Sequence, residues 1–240
     1  MAARARVEEG GEPRRQVVSF TFYKVLPEWR RLAAEEKAEH RQDFDAVIAR
    51  WRASEEMRVL SYSLVGTRAD ADMMLWRICY SLECLQKMQA ELMSTPLGGY
   101  LATPYSYLAM TKRSQYKIGH GHESHVQGAF SRCGDHKYLQ VHPFVKNRAW
   151  YQMPFEERQR IVGEYIRMSQ EFPGIRLNTM YSFGIDDQEF VLALESDRIT
   201  DIVDGVMRLR ESENAAYTLR DTPIFTCVQC TPEEMLERLG

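Results

Sequence analysis

One order of elements is written twice along this chain, and few folds accommodate such a duplication. In the first half, QVVSFTFYKV (16–25) is β-branched and aromatic, the composition of a strand. A charged segment (27–54) follows, with Pro27 in its first turn and Leu32, Phe44, Val47, Ile48 and Trp51 as its apolar points. This pattern predicts a helix. Strands are predicted at 58–66 and 74–80 around an acidic turn. Then come a helix at 81–95, with Leu82, Leu85, Met88 and Leu92 on one face, and a strand at 105–112.

The second half repeats that order. Strands are predicted at 137–146, 175–184, 189–195 and in PIFTCVQC, with helices at 153–172 and 198–219. The turns in VGTRADADMMLW and FGIDDQEFVLAL share a layout of Gly, acidic turn and apolar strand. Two βαββαβ units are two ferredoxin-like modules. The expected fold is therefore α+β: tandem modules whose sheets pair into one β-barrel with helices outside. The expected organisation is a disordered tail (1–15), an N-terminal module (16–112), a linker (113–136) and a C-terminal module (137–240).

Composition narrows function only by exclusion. The 240 residues carry a net charge of −3, so no basic bias points to nucleic acid. No apolar run reaches the ~18 residues of a membrane span, and the charged start lacks the apolar stretch of a secretory signal. Five cysteines at scattered spacing argue against a disulfide framework and fit a reducing, cytoplasmic location. Cys227 and Cys230 form a CxxC at a strand end, which reads as two cysteines on opposite faces rather than as a redox or metal site. The linker holds HGHESH. Its His120, His122 and His125, with Glu123, are either a solvated tract or ligands for a transition metal.

Three strings go further: KYLQVHPFVKNRAWYQMPFEERQRIV, FPGIRLNTMYSFGIDDQEFVLALE and LRESENAAYTLRDTPIFTC. They resemble the chlorite dismutase family, which includes coproheme decarboxylases. The likeness is close over about 137–227 and looser in the first half. It implies the same duplicated barrel, a homo-oligomer (usually a pentamer), and haem or coproheme held in the C-terminal module.

The activity-defining positions depart from that resemblance. Tyr165 stands where family members keep the proximal histidine, so any iron ligand on that helix would be Tyr165. His142, in VHPF, stands where the decarboxylases keep a radical-forming tyrosine. It is the candidate catalytic residue, as a general base or a metal contact. Leu177 takes the place of the distal arginine of chlorite dismutases, with Arg176 expected to face the other way. Glu213 matches a glutamate that bonds the proximal histidine, Lys146 a lysine near the propionates, and Trp150 an aromatic bordering the pocket. Lys146, Arg148 and Arg113 are expected as cations at the entrance. A phenol ionises only beside a cation, and Glu213 would oppose that, so Tyr165 is expected as a neutral, hydrogen-bonded phenol.

Three functions are consistent with this pattern. One is a haem- or coproheme-dependent oxidoreductase using peroxide chemistry, with chlorite decomposition disfavoured. Another is a non-catalytic structural or regulatory paralogue, with an active homologue as co-subunit. The third is a non-haem metal protein using His142 and the linker histidines.

Overall fold

The computed structural model describes residues 14–116 and 133–240. The chain divides into two units: Met1–Met110 together with Thr226–Gly240, and Thr111–Phe225. The linker histidines His120, His122 and His125 and the expected tail up to residue 13 lie outside the described residues.

In the first unit, β1 (Val17–Val25) is buried along nearly its whole length, as its apolar sequence requires. It lies between β3 (Met73–Cys79) and β4 (Leu101–Met110), antiparallel to both. β2 (Met57–Ser63) pairs with the other edge of β3. The order β4–β1–β3–β2 is that of a ferredoxin-like sheet. The expected single helix over 27–54 is two: α1 (Pro27–Arg30) and α2 (Ala34–Ala53), separated by an extended Ala33. The break parts the turn that buries Trp29 from the helix that buries Phe44, Val47, Ile48 and Trp51. With α3 (Leu82–Met93) these helices bury their apolar faces on Tyr23, Met73, Leu75 and Cys79 of the sheet.

β9 (Phe225–Gln229) is the closing strand that PIFTCVQC predicts. It pairs with β2 through Tyr62↔Gln229 and Ser63↔Val228. After it comes a helix the sequence reading did not anticipate, α7 (Pro232–Glu237), started by a capping box between Thr231 and Glu234. Its Met235 and Leu236 enter the first unit's core, which anchors residues 226–240 there.

The second unit repeats the order. β5 (Tyr138–Lys146), β7 (Phe190–Ser196) and β6 (Arg176–Tyr181) form the antiparallel sheet β5–β7–β6, and β8 (Thr218–Arg220) joins the other edge of β5. Its helices are the short α4 (Arg148–Gln152), then α5 (Phe155–Ser169) and α6 (Ile199–Arg210). A 3₁₀ segment (Glu213–Tyr217) replaces the last turns of the helix expected to reach 219.

The duplication is close in register. β1 and β5 are each nine residues long, β3 and β7 each seven, and α3 and α6 each twelve. Val17 pairs with Cys79 as Tyr138 pairs with Ser196. Gly66 and Gly184 each adopt a positive φ in the matching turns, at 82° and 74°. On this correspondence Ser19 and Thr21 match Gln140 and His142, Arg77 matches Leu194, and Gln89 matches Val206. The first unit fills this place with Arg77, only 3% exposed. Its guanidinium donates to Thr21 at 2.6 Å, Gln89 at 3.0 Å and Ser19 at 3.3 Å. Truncation by Arg77→Ala removes these bonds and leaves a void. Loss of about 2–3 kcal/mol in denaturant unfolding is expected. Unchanged stability would show that Arg77 does not fill this place.

Candidate functional site

The place that Arg77 fills in the first unit is a cavity in the second, of about 80 Å³. Strand alternation builds its floor. Gln140, His142 and Phe144 point from one face of β5, and Leu192 and Leu194 stand opposite them on β7. Tyr165 reaches in from α5, on the face that also buries Ile161 and Met168. Val206, Leu209 and Arg210 come from α6, and Asn214 from the 3₁₀ segment. Leu177 sits across from Leu194 on the cavity's side of the sheet, without lining it. Arg176 faces away, its Nη1 3.4 Å from Asp135 Oδ2.

The site is uncharged in its interior. His142 is 8% exposed and its Nδ1 lies 2.9 Å from Gln140 Nε2. With the amide donating, Nδ1 accepts and the ring proton sits on Nε2. Burial pulls the His142 pKa down to about 4. Asp221 raises it and Arg210 lowers it further, so the ring is neutral at physiological pH. Burial pushes the Tyr165 phenol up to about 12. No cation counteracts that shift, and the hydroxyl has no hydrogen-bond partner among the described residues. Gln140 Oε1, unlike the half-buried Tyr165, is fully buried, and it has no partner among the described residues. The two charged side chains on the wall, Arg210 and Asp221, pair with each other at 2.5 Å.

Other expected site residues are held elsewhere. Glu213 does not meet Tyr165: its Oε2 accepts from Arg160 Nη2 at 2.6 Å in an exposed pair. Lys146 is no entrance cation. It is 5% exposed, and its Nζ donates to the Asn214 carbonyl at 2.7 Å and Oδ1 at 2.9 Å. Burial lowers its pKa to about 7, against the pull of Glu189. Trp150 is buried in α4 with that ammonium 4.7 Å from its ring centroid, and it does not line the cavity. Lys146 thus fixes Asn214, and through it one wall. The sequence reading missed Gln140, Asn214, Arg210 and Asp221. Period-two alternation along β5 could have placed Gln140 beside His142. The other three meet the cavity only through tertiary packing. Among the described residues no cluster of three or more His, Cys, Asp or Glu could hold a metal, and no helix is long and apolar enough to cross a membrane. Cys227 is buried, Cys230 half-buried, and all five cysteines are free.

Residues 37–230 match the chlorite dismutase family. The chain belongs to that family. A coproheme decarboxylase of Mycolicibacterium smegmatis is 30% identical over 179 residues, covering 74% of this chain and 75% of that protein. The chlorite dismutase of Candidatus Nitrospira defluvii, solved in complex with imidazole, shares the fold with a TM-score of 0.82 at 21% identity. The match covers 93% of this chain and 94% of that one. A variant of the same enzyme gives a TM-score of 0.83 at the same identity and coverage.

Iron porphyrin does not fit this family member's cavity as it is built. Among the described residues the lining offers a porphyrin's propionates one cation, Arg210, and Asp221 already holds it. At the position that the family resemblance assigns to the iron ligand stands Tyr165, a phenol that burial keeps protonated in the ligand-free chain.

The depressed His142 pKa has a stability consequence. The unfolded chain binds a proton near pH 6.5 and the folded chain only near 4. The neutral ring's advantage is therefore complete above pH 6.5 and is lost as pH falls toward 4. Wild type is expected to lose roughly 3 kcal/mol more than His142→Gln across that window, as read from urea melts. Parallel pH profiles would contradict a buried, neutral His142.

Proposed function

We propose that this chain is a haem-free relative within a family of haem-related oxidoreductases. Its second unit's cavity serves as a ligand site, and its role is structural or regulatory rather than peroxide-activating. One observation carries the reading: Tyr165 lines the cavity at the position that the family resemblance assigns to a histidine iron ligand, and its hydroxyl has no hydrogen-bond partner among the described residues. Supporting residues are diverted to other partners, Glu213 to Arg160 and Lys146 to Asn214.

The chain would work as a homo-oligomer, pentameric if it follows the family resemblance, or beside an active homologue. A stripe of exposed apolar residues on α6 supports such a surface: Ile199, Val203 and Met207, four apart and 38%, 54% and 64% exposed. Five free cysteines support a reducing, cytoplasmic location.

A second reading is a haem- or coproheme-dependent oxidoreductase. His142 and Tyr165 favour it, because two side chains able to ligate iron line the same cavity. The relatives' activities favour it too. Leu177 in place of the distal arginine disfavours chlorite as substrate.

Titration of the purified protein with haem and with coproheme separates these readings. No Soret shift is expected for wild type. A high-spin ferric spectrum that disappears in Tyr165→Phe would overturn the haem-free reading and establish tyrosinate ligation.

A further inference from the structure

We propose that the cavity of the second unit binds a small uncharged molecule carrying both a hydrogen-bond donor and an acceptor. This names the ligand class of the proposed haem-free site and rests on that reading.

Three observations carry it. The first is polar atoms without partners. Gln140 is 4% exposed and lines the cavity, yet its Oε1 accepts no hydrogen bond. A buried acceptor left unmet costs about 1–3 kcal/mol, so a ligand that donates to it recovers that loss. The Tyr165 hydroxyl on the facing wall also has no partner among the described residues. Nδ1 of His142 is taken by Gln140, which leaves Nε2–H as the ring's remaining donor.

The second observation is charge. Among the described residues Arg210 and Asp221 are the only charged ones on the wall, and they pair with each other at 2.5 Å. The rest of the lining is neutral or apolar, including Phe144, Leu192, Leu194 and Val206. An ion entering here would lose hydration with no countercharge to replace it. The site therefore selects against both anions and cations.

Size is the third. A cavity of about 150 Å³ takes the six carbons of benzene, so one of about 80 Å³ suits roughly three or four non-hydrogen atoms. The first unit shows what a polar occupant of this place looks like. There the Arg77 guanidinium, itself four non-hydrogen atoms, is held by Thr21, Ser19 and Gln89. In the second unit Leu194 and Val206 stand at the matching positions and supply neither the filler nor its acceptor. Among the described residues nothing fills this space or meets the Gln140 acceptor.

Three isosteres of one shape test this: acetamide, acetate and acetamidinium, titrated into the isotope-labelled full chain near neutral pH. The ring resonances of His142 and Tyr165 are followed by NMR. Acetamide is expected to shift them saturably. Each charged isostere should bind at least about tenfold more weakly, and Gln140→Leu should weaken acetamide by about tenfold. Tyr165→Phe gives a second variant should Gln140→Leu not fold. It removes a polar atom without changing shape, and it too should weaken acetamide. Absence of a saturable shift, equal response to the three isosteres, or unchanged affinity in both variants would overturn the inference. A Soret shift on haem addition would instead overturn the haem-free reading beneath it. Failure of acetamide without such a shift leaves that reading standing and sinks only the ligand class.

Discussion

The antiparallel register of β5 against β7 is the constraint on which the site depends. Pairing His142 with Leu192 and Gln140 with Leu194 puts all four side chains on one face of the sheet, beneath Tyr165 and α6. A slip of one residue would turn Val141 and Leu139 toward the helices and bury Gln140 and His142 on the opposite face. That opposite face already holds Glu195, fully buried and satisfied by the Gly134 amide and the Asn178 carboxamide. Two buried polar sets thus share one sheet, and the alternation of β7 keeps them apart.

The duplicated halves show how the same frame serves two ends. In the first unit the space between sheet and helices is closed by a long cationic side chain and neutral acceptors. In the second it stays open because the matching positions carry Leu194 and Val206. The open space is chemically mild. Its imidazole is held neutral by burial, its phenol is held un-ionised, and its one ion pair is self-contained.

Much of the fold was legible in the sequence because hydrophobic periodicity is local. The strand runs, the face of α5 and the two Gly-initiated turns are all visible within short windows. The break at Ala33 was not, since nothing in its immediate sequence forbids a continuous helix. The pairing of β9 with β2 was not legible because a strand's partner is a tertiary matter. Its pattern says only that it is a strand, not that it pairs with β2. Of the site, His142 and Tyr165 were identified and do share one cavity. Glu213, Lys146 and Trp150 were assigned by their match to relatives, and the structure gives each a different partner. Arg210 and Asp221 lie on different elements, and no spacing rule brings them together.

The central claim is that this family member's C-terminal cavity holds no iron porphyrin. Native mass spectrometry of the full chain, produced in cells supplied with a haem precursor, tests it most directly. The expected result is the mass of the polypeptide alone, in whatever oligomer it forms, with no porphyrin increment. One retained haem or coproheme per chain would contradict the account.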